Sequence, residues 1–408
     1  MRQIPVGSLA TLLVVALFVV PGAASTSAAA SRTRATVHAA PHKAARPVDP
    51  ADLALYEKLS ALTAAAYDSA RGGWVSRDGT PSEAAIELAL VRGRDGDALA
   101  ASRAAATLRW MHALMDTVGG GYVNGTHDME SSSSSLDKFT GPNARRLELL
   151  TLAMSGGGNA AVGRDARATA DYFERVLSDP RGGFFTGQVG SRDLEPEANG
   201  QALVAWWRYA ALTGDARRRE FCWKTQDRLW AETRDPELGM VRRDTWGNIH
   251  DPSLLADQAE SGRAYLVAWQ YAGRDSDLAH ARMLGRLLLA HFEDRAKWGF
   301  REEYAYERLG HSRRSPRPFD DNGRAARFLA ELGAATGEAE FTSSARRAFS
   351  TFAQQMEKPR LETAEWALAL RATWAGSGAT RATWHAPAKA APARNTTHTY
   401  KTRGSGRR

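Results

Sequence analysis

Cysteine is almost absent from this 408-residue sequence, in which Cys222 is the only one. A single cysteine excludes an intramolecular disulfide, a zinc site built from cysteine ligands and a C-x-x-C redox pair. Sustained alternation of apolar and polar residues, the pattern of a half-buried strand, is also scarce. We therefore expect neither a disulfide-stapled protein nor an all-β protein.

The two ends of the chain lack acidic residues. Residues 1–48 contain five Lys/Arg and residues 376–408 contain seven, and neither segment contains Asp or Glu. Because the formal net charge of the whole chain is +8, residues 49–375 carry about −4, and we do not expect them to bind nucleic acid. Residues 25–48 and 376–408 are both rich in Ala and Thr and poor in large apolar residues, and they are predicted to be a disordered linker and a disordered tail. The basic tail is predicted to be solvated, and weak contact with an anionic cell envelope is the alternative.

Only one long hydrophobic run occurs, and it lies near the N-terminus. Residues 9–20 are too few to span a bilayer but suit the apolar region of a signal peptide, and residues 21–24 supply small side chains for cleavage. Residues 1–24 are therefore predicted to be a signal peptide. The mature protein is then periplasmic or secreted, without a membrane span. An uncleaved N-terminal anchor is the alternative.

Between these ends the apolar residues recur at helical spacing. Leu53, Tyr56 and Leu59 are an example, and this spacing predicts an all-α protein. Short segments that join glycine to an aromatic residue or methionine separate the helices, as in "VGGGYV" at 118–123 and "RGGFF" at 181–185. They are predicted to close one helix in five of the pairs, and residues 356–361 take their place in the sixth. A further glycine is predicted to end the other helix in the left-handed conformation. Those further glycines are Gly93, Gly156, Gly214, Gly273, Gly337 and Gly376.

The glycine pattern predicts six helical pairs within residues 49–375, at intervals of about 60 residues. The second helix of each pair is apolar on several faces and is predicted to be the inner one, whereas the first keeps a charged face and is predicted to be the outer one. Six such pairs predict closure into an (α/α)6 toroid of six helical hairpins. The predicted pairs are 52–92, 98–155, 165–213, 215–272, 277–336 and 340–375.

Four short stretches resemble known sequences of this architecture. "VGGGYV" and "RGGFF", with "LLADQA" at 254–259 and "FDDNGRAARFL" at 319–329, resemble the six-hairpin glycosidase-like (α/α)6 toroid superfamily. More closely, residues 52–375 resemble the helical part of thioredoxin-domain-containing (spermatogenesis-associated 20-like) proteins. This sequence shows no thioredoxin domain, so the resemblance implies a separately encoded thioredoxin-like partner.

Carbohydrate is the ligand that the loops favour. In a toroid the loops that leave the outer helices share one face with the N-termini of the inner helices, and here those loops are long, polar and rich in aromatic residues. Aromatic rings stack on the apolar faces of sugars, and glycoside hydrolysis needs two carboxylates. Asp257 and Asp321 are predicted as the acid/base pair. The residues predicted to bind the substrate are Trp246, Trp298 and Tyr304 as ring platforms, together with Glu197, Asp320 and Gln188.

Alternatives stay open at this point. Asp257, Asp321 and Glu197 stand at or near helix starts, where carboxylates commonly act as caps. The leading function is glycoside-hydrolase-like chemistry on an envelope or environmental glycan. One alternative is a non-catalytic glycan-binding or envelope interaction protein, and another is a sugar 2-epimerase-like isomerase that uses His250 and His311. No cofactor and no metal is predicted, because the sequence contains no H-E-x-x-H motif and no compact His/Asp cluster.

Overall fold

The computed structural model describes residues 48–77, 79–124, 137–189, 192–244, 246–251, 253–304 and 315–374, without the side chains of His250 and Asp251. The predicted signal peptide and C-terminal tail, and all but the last residue of the predicted linker, lie outside these ranges. Twelve α-helices follow one another within them. The helices are α1 (Pro50–Ala65), α2 (Glu83–Arg94), α3 (Ala98–His112), α4 (Thr140–Ser155), α5 (Ala160–Tyr172), α6 (Pro196–Thr213), α7 (Ala216–Thr233), α8 (Leu255–Ala272), α9 (Asp275–Leu287), α10 (Phe319–Thr336), α11 (Ala339–Phe352) and α12 (Thr363–Ala372). The chain continues from α5 and α9 into π-helical turns at Phe173–Leu177 and Leu288–Phe292.

Two short β-hairpins lie between α7 and α8. Their strands are β1 (Arg234–Asp235), β2 (Gly239–Met240), β3 (Arg242–Arg243) and β4 (Ile249–Asp251). β1 pairs with β2 and β3 pairs with β4, both antiparallel, and the second pair has a register shift at Arg242. The second hairpin carries Arg242 towards the N-termini of the inner helices.

The even-numbered helices form a closed inner ring. Each packs against the next in the order α2, α4, α6, α8, α10 and α12, and α12 packs back against α2 and α1. At this closure the hydroxyl groups of Thr63 and Thr363 lie 3.1 Å apart. α6 and α8 are buried over most of their length, whereas the outer helix α7 buries a single stripe. The predicted all-α class, the layers and the (α/α)6 toroid are confirmed.

The apolar core fills the space between the inner and outer rings. Around α6, the side chains of Phe173, Phe184, Trp206 and Phe221 pack with ring centroids 5.4 to 6.2 Å apart. Phe184 belongs to one of the glycine-aromatic segments. The aromatic residue of this segment is therefore a core residue and is not available to a ligand.

The glycine-aromatic segment between α5 and α6 is a tight turn that hydrogen bonds of Asp179 and Asn199 stabilise. Asp179 accepts the N–H of Arg181 at 2.9 Å, and the N–H of Asp179 donates to the carbonyl of Gly183 at 2.9 Å. Gly183 has a φ of +101°, a conformation that is costly for a residue with a Cβ. The next residue, Phe184, is clamped by the amide of Asn199, which accepts its N–H at 2.8 Å and donates to its carbonyl at 2.9 Å.

The same amide clamp recurs in three other hairpins. Each clamp joins the residue after the glycine to an Asn or Gln that is the fourth residue of the following inner helix. The pairs are Tyr122 with Asn143, Met240 with Gln258, and Phe300 with Asn322, at 2.6 to 2.9 Å. A buried backbone group without a partner is costly, so these amides fix the start of each inner helix relative to the turn before it.

The prediction that a glycine ends each inner helix in the left-handed conformation is partly wrong. Gly214, Gly273 and Gly337 follow α6, α8 and α10 in the left-handed conformation, as predicted. Gly93 instead lies inside α2, and Gly156 ends α4 with a φ of −90°. The sixth lies outside the described residues. The glycines of the glycine-aromatic segments do not end the outer helices either, because they lie within the turn that follows each helix.

Two Gly→Ala substitutions test the packing of the inner ring. At Gly200 in α6, a Cβ would lie 2.6 Å from the backbone carbonyl carbon of Glu260 in α8. We expect Gly200→Ala to lower the free energy of unfolding by about 1–3 kcal/mol, because the backbones must separate. At Gly163 in the outer helix α5, a Cβ would meet nothing within 4 Å.

We expect Gly163→Ala, the matched control, to raise the free energy of unfolding by about 0.5–1 kcal/mol through helix propensity. Urea unfolding followed by circular dichroism measures both variants. Equal midpoints for Gly200→Ala and the wild type would show that α6 and α8 do not approach as closely as described.

Candidate active site

The N-terminal ends of the inner helices enclose a recess that is open to solvent. All inner helices run in the same direction, because each is antiparallel to the outer helix that precedes it. The side chain of Arg324 in α10 keeps 31% of its accessible surface. Glu197 of α6 and Asp321 of α10 keep 28% and 22%. We call the recess lined by Glu197, Asp321 and Arg324 the cup.

Two arginines bridge the carboxylates of the cup. Nη1 of Arg324 lies 2.8 Å from Oε1 of Glu197 and 3.7 Å from Oδ1 of Asp321. Arg242 of β3 donates to Oε2 of Glu197 at 3.3 Å and to Oδ2 of Asp257 at 3.1 Å. Both oxygens of Glu197 are therefore held by guanidinium groups, and these contacts tie α6, α8 and α10 together at their N-termini.

Asp257, predicted as one of the two catalytic carboxylates, is completely buried. Its carboxylate pairs with Arg242 and accepts the backbone N–H of Glu197 at 3.0 Å. Burial raises the pKa of Asp257 to about 7, against the lowering effects of Arg242 and of the Glu197 N–H. Asp257 thus lies in the first turn of its own helix, α8. It also caps the first turn of α6, the neighbouring inner helix. Its catalytic role stays a prediction.

Asp321, the other predicted catalytic carboxylate, lies in the first turn of α10 and faces the cup. Burial raises its pKa, Arg324 lowers it, and the charges of Asp320 and Glu260 raise it further. The pKa of Asp320 is raised by burial and by Glu362.

Glu302, in the chain segment before α10, adds another carboxyl group. Its pKa is raised by burial and then by Asp321 and Glu303. Within the described residues, Asp321 has Arg324 as its ion-pair partner, whereas the carboxyl groups of Asp320 and Glu302 have no hydrogen-bond or ion-pair partner. Carboxyl groups with raised pKa values beside a solvent-filled recess are typical of sites that donate protons.

In the cup and below it, charged side chains from different inner helices form ion pairs inside the ring. The pairs join inner helices that are not neighbours, so their side chains must cross the centre. They are Arg324–Glu197 at 2.8 Å, Arg145–Glu260 at 2.5 Å, Arg263–Glu148 at 3.0 Å and Arg327–Glu87 at 2.5 Å. We call these eight residues, with Arg208, Glu331 and Glu365, the axial network.

The buried charges of the axial network stabilise one another. Burial opposes the ionisation of Glu148, but Arg263, Arg208 and Arg145 outweigh that effect and hold its pKa well below its ordinary value. Arg327 pairs with three carboxylates, those of Glu87, Glu331 and Glu365. A buried ion is tolerated only with such partners, so the part of the network below the cup is structural.

Sequence reasoning missed the arginines of this site, although a signal for them exists. On inner helices that are otherwise apolar, charged residues recur three to four positions apart. Arg324, Arg327 and Glu331 of α10 follow this spacing, as do Glu260 and Arg263 of α8. Such a charged stripe on a buried helix predicts a polar axis inside the ring.

Three of the predicted substrate-binding residues contact the outer layer. The Trp298 ring lies 4.7 Å from the guanidinium of Arg347 on α11. Tyr304 packs on His291, with ring centroids 4.4 Å apart, in the π-helical turn after α9. Gln188 accepts a hydrogen bond from the hydroxyl of Tyr172 at 3.2 Å, in α5.

No hydrogen bond or ring contact joins Trp298, Tyr304 or Gln188 to Asp321 among the described residues. Trp246, at the tip of the β3–β4 hairpin, is 85% exposed and remains available as a ring platform. Glu197 and Asp320 lie at the cup. The roles of all six residues in substrate binding stay predictions.

The isomerase alternative depends on histidines at the cup. The histidines whose side chains the structure describes are His112, His280 and His291, and all belong to the outer layer. The side chain of His250 and the whole of His311 lie outside the described residues, so their proposed roles stay predictions.

Neither a metal cluster nor a spanning helix is found in the described ranges. No group of three or more His, Cys, Asp or Glu side chains there is arranged to hold a metal ion. No helix in the same ranges is long and apolar enough to cross a membrane.

The single cysteine lies in the core. Cys222 of α7 is completely buried, and burial raises the pKa of its thiol. A thioredoxin-like partner that exchanges disulfides would need this sulfur atom, and the folded protein keeps it out of reach. The partner implied by the family resemblance stays a prediction.

The architecture recurs in solved structures of sugar enzymes. No protein-family model and no curated protein sequence matches this chain. A D-mannose isomerase matches with a TM-score of 0.64 at 13% identity, over 80% of this chain and 97% of that one. The cellobiose 2-epimerase of Bacillus thermoamylovorans B4167 matches with a TM-score of 0.64 at 11% identity, over 79% and 99% of the two chains. The family 76 α-mannanase of Bacteroides thetaiotaomicron matches with a TM-score of 0.63 at 10% identity, over 79% and 95%.

These structures are six-hairpin glycosidase-like (α/α)6 toroids, and the likeness confirms the fold expected from the resemblance to that superfamily. The chain shares the toroid fold with hydrolases and with sugar isomerases alike. The structural similarity establishes the fold. Sequence identities of 10 to 13% do not identify the reaction, which has to be inferred from the residues of the cup.

Removal of Arg327 tests the axial network. Arg327→Met leaves Glu87, Glu331 and Glu365 without their shared cation, and we expect the free energy of unfolding at neutral pH to fall by about 3–5 kcal/mol. Arg346→Met, which breaks an exposed pair with Asp52 on the outer surface, is the control and should change it by less than about 1 kcal/mol.

The decrease in the free energy of unfolding caused by Arg327→Met should depend on pH. Although burial acts to raise them, Arg327 and other cations lower the pKa values of Glu87 and Glu331. Their stabilisation is therefore present above the ordinary glutamate pKa of about 4.3 and is lost as the pH falls through the lowered values. Unfolding curves should show the largest difference between wild type and Arg327→Met near pH 7 and a smaller one in acid. A difference that does not change with pH would contradict the ionic network.

The burial of Cys222 is tested by thiol labelling. We expect the native protein not to react with 5,5′-dithiobis(2-nitrobenzoate), because the sulfur is inaccessible and its raised pKa keeps it protonated. The protein unfolded in guanidinium should release one equivalent of the coloured thiolate. Rapid labelling of the native protein would show that α7 is not packed as described.

Proposed function

We propose that this protein is an exported carbohydrate-active enzyme that hydrolyses a glycan of the cell envelope or the environment. The proposal rests on one observation, the accessible carboxylates Glu197 and Asp321 in the cup. Both lie near Nη1 of Arg324, at 2.8 and 3.7 Å, so the two nearest oxygens are at most about 6.5 Å apart. Glycosidases hold their two carboxyl groups about 5–5.5 Å apart when they retain configuration and about 6.5–9.5 Å apart when they invert it.

Asp321 is proposed as the general acid. Burial and the charges of Asp320 and Glu260 raise its pKa against the effect of Arg324, so it keeps a proton to a higher pH than an exposed aspartate does. In the reaction its carboxyl proton passes to the glycosidic oxygen as the bond from that oxygen to the anomeric carbon breaks. The oxygen of a water molecule then bonds to the anomeric carbon, and the proton that this water loses passes to a carboxylate of the pair.

Glu197 is proposed as the second carboxylate, which faces the positive charge that develops at the anomeric carbon. Arg242 and Arg324 hold its two oxygens in place. Asp257 is proposed to position Glu197 and Arg242. It has no exposed surface, and it binds both Arg242 and the backbone N–H of Glu197. The pair proposed here therefore keeps Asp321 and replaces Asp257 with Glu197.

The substrate class and the location draw on other features. The structures of similar fold are named as enzymes that act on sugars, which supports a carbohydrate substrate here. Export rests on the composition of residues 1–24. Trp246, exposed beside the strand that carries Arg242, is proposed as the aromatic platform for a sugar ring.

One observation favours a second candidate function, the binding of a glycan without turnover. Both oxygens of Glu197 are engaged in ion pairs, and a carboxylate held in this way has less freedom to attack a sugar or to activate water. A protein that kept the cup and lost the reaction would bind saccharides with the same residues.

Release of reducing ends from a panel of polysaccharides and cell-wall glycans tests the proposal. We expect Asp321→Asn and Glu197→Gln each to lower kcat by at least about 10²-fold, because each removes one of the two groups that move or stabilise charge. Glu237→Gln, an exposed change in the β1–β2 turn, is the matched control and should leave kcat unchanged.

Circular dichroism shows whether each variant is folded. Turnover that survives both cup substitutions would contradict the proposed pair. Saccharide binding without turnover in the wild type would favour the binding function over the hydrolase.

A further inference from the structure

Carboxylates outnumber guanidinium groups around the cup. The carboxylates at or directly below it are Glu195, Glu197, Asp257, Glu260, Asp320, Asp321 and Glu302. The guanidinium groups in the same place are those of Arg145, Arg242 and Arg324. Arg360, which lowers the pKa of Asp320, is paired with Glu362 and does not change the balance. Among the described residues, the recess therefore has more carboxyl groups than guanidinium groups.

The arginines of the cup already have carboxylate partners from the protein. Arg145 pairs with Glu260, Arg242 with Asp257, and Arg324 with Glu197. An anionic sugar, such as a uronic acid, would have to displace one of these carboxylates in order to gain a cation. That displacement would leave a buried carboxylate without its partner, which is costly.

Glu260 provides an independent sign that a donor is missing. Its side chain is 1% exposed, and its Oε1 accepts from Nη2 of Arg145 at 2.5 Å and lies 4.0 Å from Nε of Arg324. Its Oε2 has no hydrogen-bond donor within the described part of the chain. The same carboxylate acts on Asp321 at the cup. A buried carboxylate oxygen is normally satisfied, so a donor supplied by a ligand fits this position.

We infer that the cup selects saccharides that carry a protonated amine, such as 2-amino-2-deoxy sugar units, over neutral and uronic saccharides. The inference rests on the proposed function, since it names the substrate class of the same recess. The ammonium group would lie among the carboxyl groups of Asp320, Asp321 and Glu302, with Asp320, which has no hydrogen-bond or ion-pair partner among the described residues, as its main counter-charge. An ammonium group supplies three N–H donors and one positive charge, which match the missing donor at Glu260 and the excess of carboxylates.

Calorimetric titration of the whole protein with three oligosaccharides of equal length tests this inference. The probes are a β-1,4-linked glucosamine oligomer, its N-acetylated counterpart and an oligogalacturonate, at a pH where the amines are protonated. We expect the glucosamine oligomer to bind about tenfold more tightly than the acetylated one, and the galacturonate to bind most weakly. The preference should shrink as salt is added.

The variants separate binding in the cup from general attraction to an acidic protein. Asp320→Asn should abolish most of the preference for the amine, whereas Glu237→Gln, which removes one exposed charge elsewhere, should leave it unchanged. Equal losses in both variants would overturn the inference. So would an acetylated or uronic oligomer that binds as tightly as the amine, or a glucosamine oligomer that does not bind.

The outcome is distinguishable from that of the hydrolase test. Asp321-dependent turnover of a neutral glycan without preference for the amine would keep the proposed function and overturn the inference. An Asp320-dependent preference for the amine without turnover on any glycan would support the inference and overturn the hydrolase.

Discussion

The pairing of charges across the axis is the constraint on which the rest of this structure depends. Six inner helices that pack in a ring turn one face of each helix towards a common centre. In this protein that face carries Arg and Glu, which are tolerated there only if each charge finds a partner on another inner helix. The pairs join α4 with α8, α2 with α10 and α6 with α10, so closure of the ring and neutralisation of its centre depend on each other.

The amide clamps determine where this ionic axis meets the solvent. Asn143, Asn199, Gln258 and Asn322 fix the first turn of four inner helices against the preceding hairpins. The first turns then lie on one face, where α6 and α10 supply Glu197, Asp320 and Asp321. The upper end of the axial network becomes the floor of the cup. The structural charges and the proposed catalytic charges are therefore parts of one continuous set, joined by Arg324.

Much of the fold is predictable from the sequence, because helical periodicity and glycine punctuation are local signals. The number of pairs, the inner and outer layers and the toroid follow from them. The site is less predictable, since Asp257 and Asp321 occupy similar places in their helices and look alike in the sequence. One is buried beneath Arg242 and the other opens to the cup, and contacts between distant segments decide this difference. Glu197 and Arg324 are 127 residues apart, and no local pattern pairs them.

The most direct measurement is a crystal structure of the protein with a saccharide bound, for which the inactive Asp321→Asn variant can preserve an intact glycan. The account predicts electron density for a sugar ring in the cup, within hydrogen-bond distance of residue 321 and of Glu197 or Arg324, with the axial pairs below it unchanged. A saccharide bound only on the outer helices, with the cup closed by its own ion pairs, would contradict the assignment of the cup as the functional site.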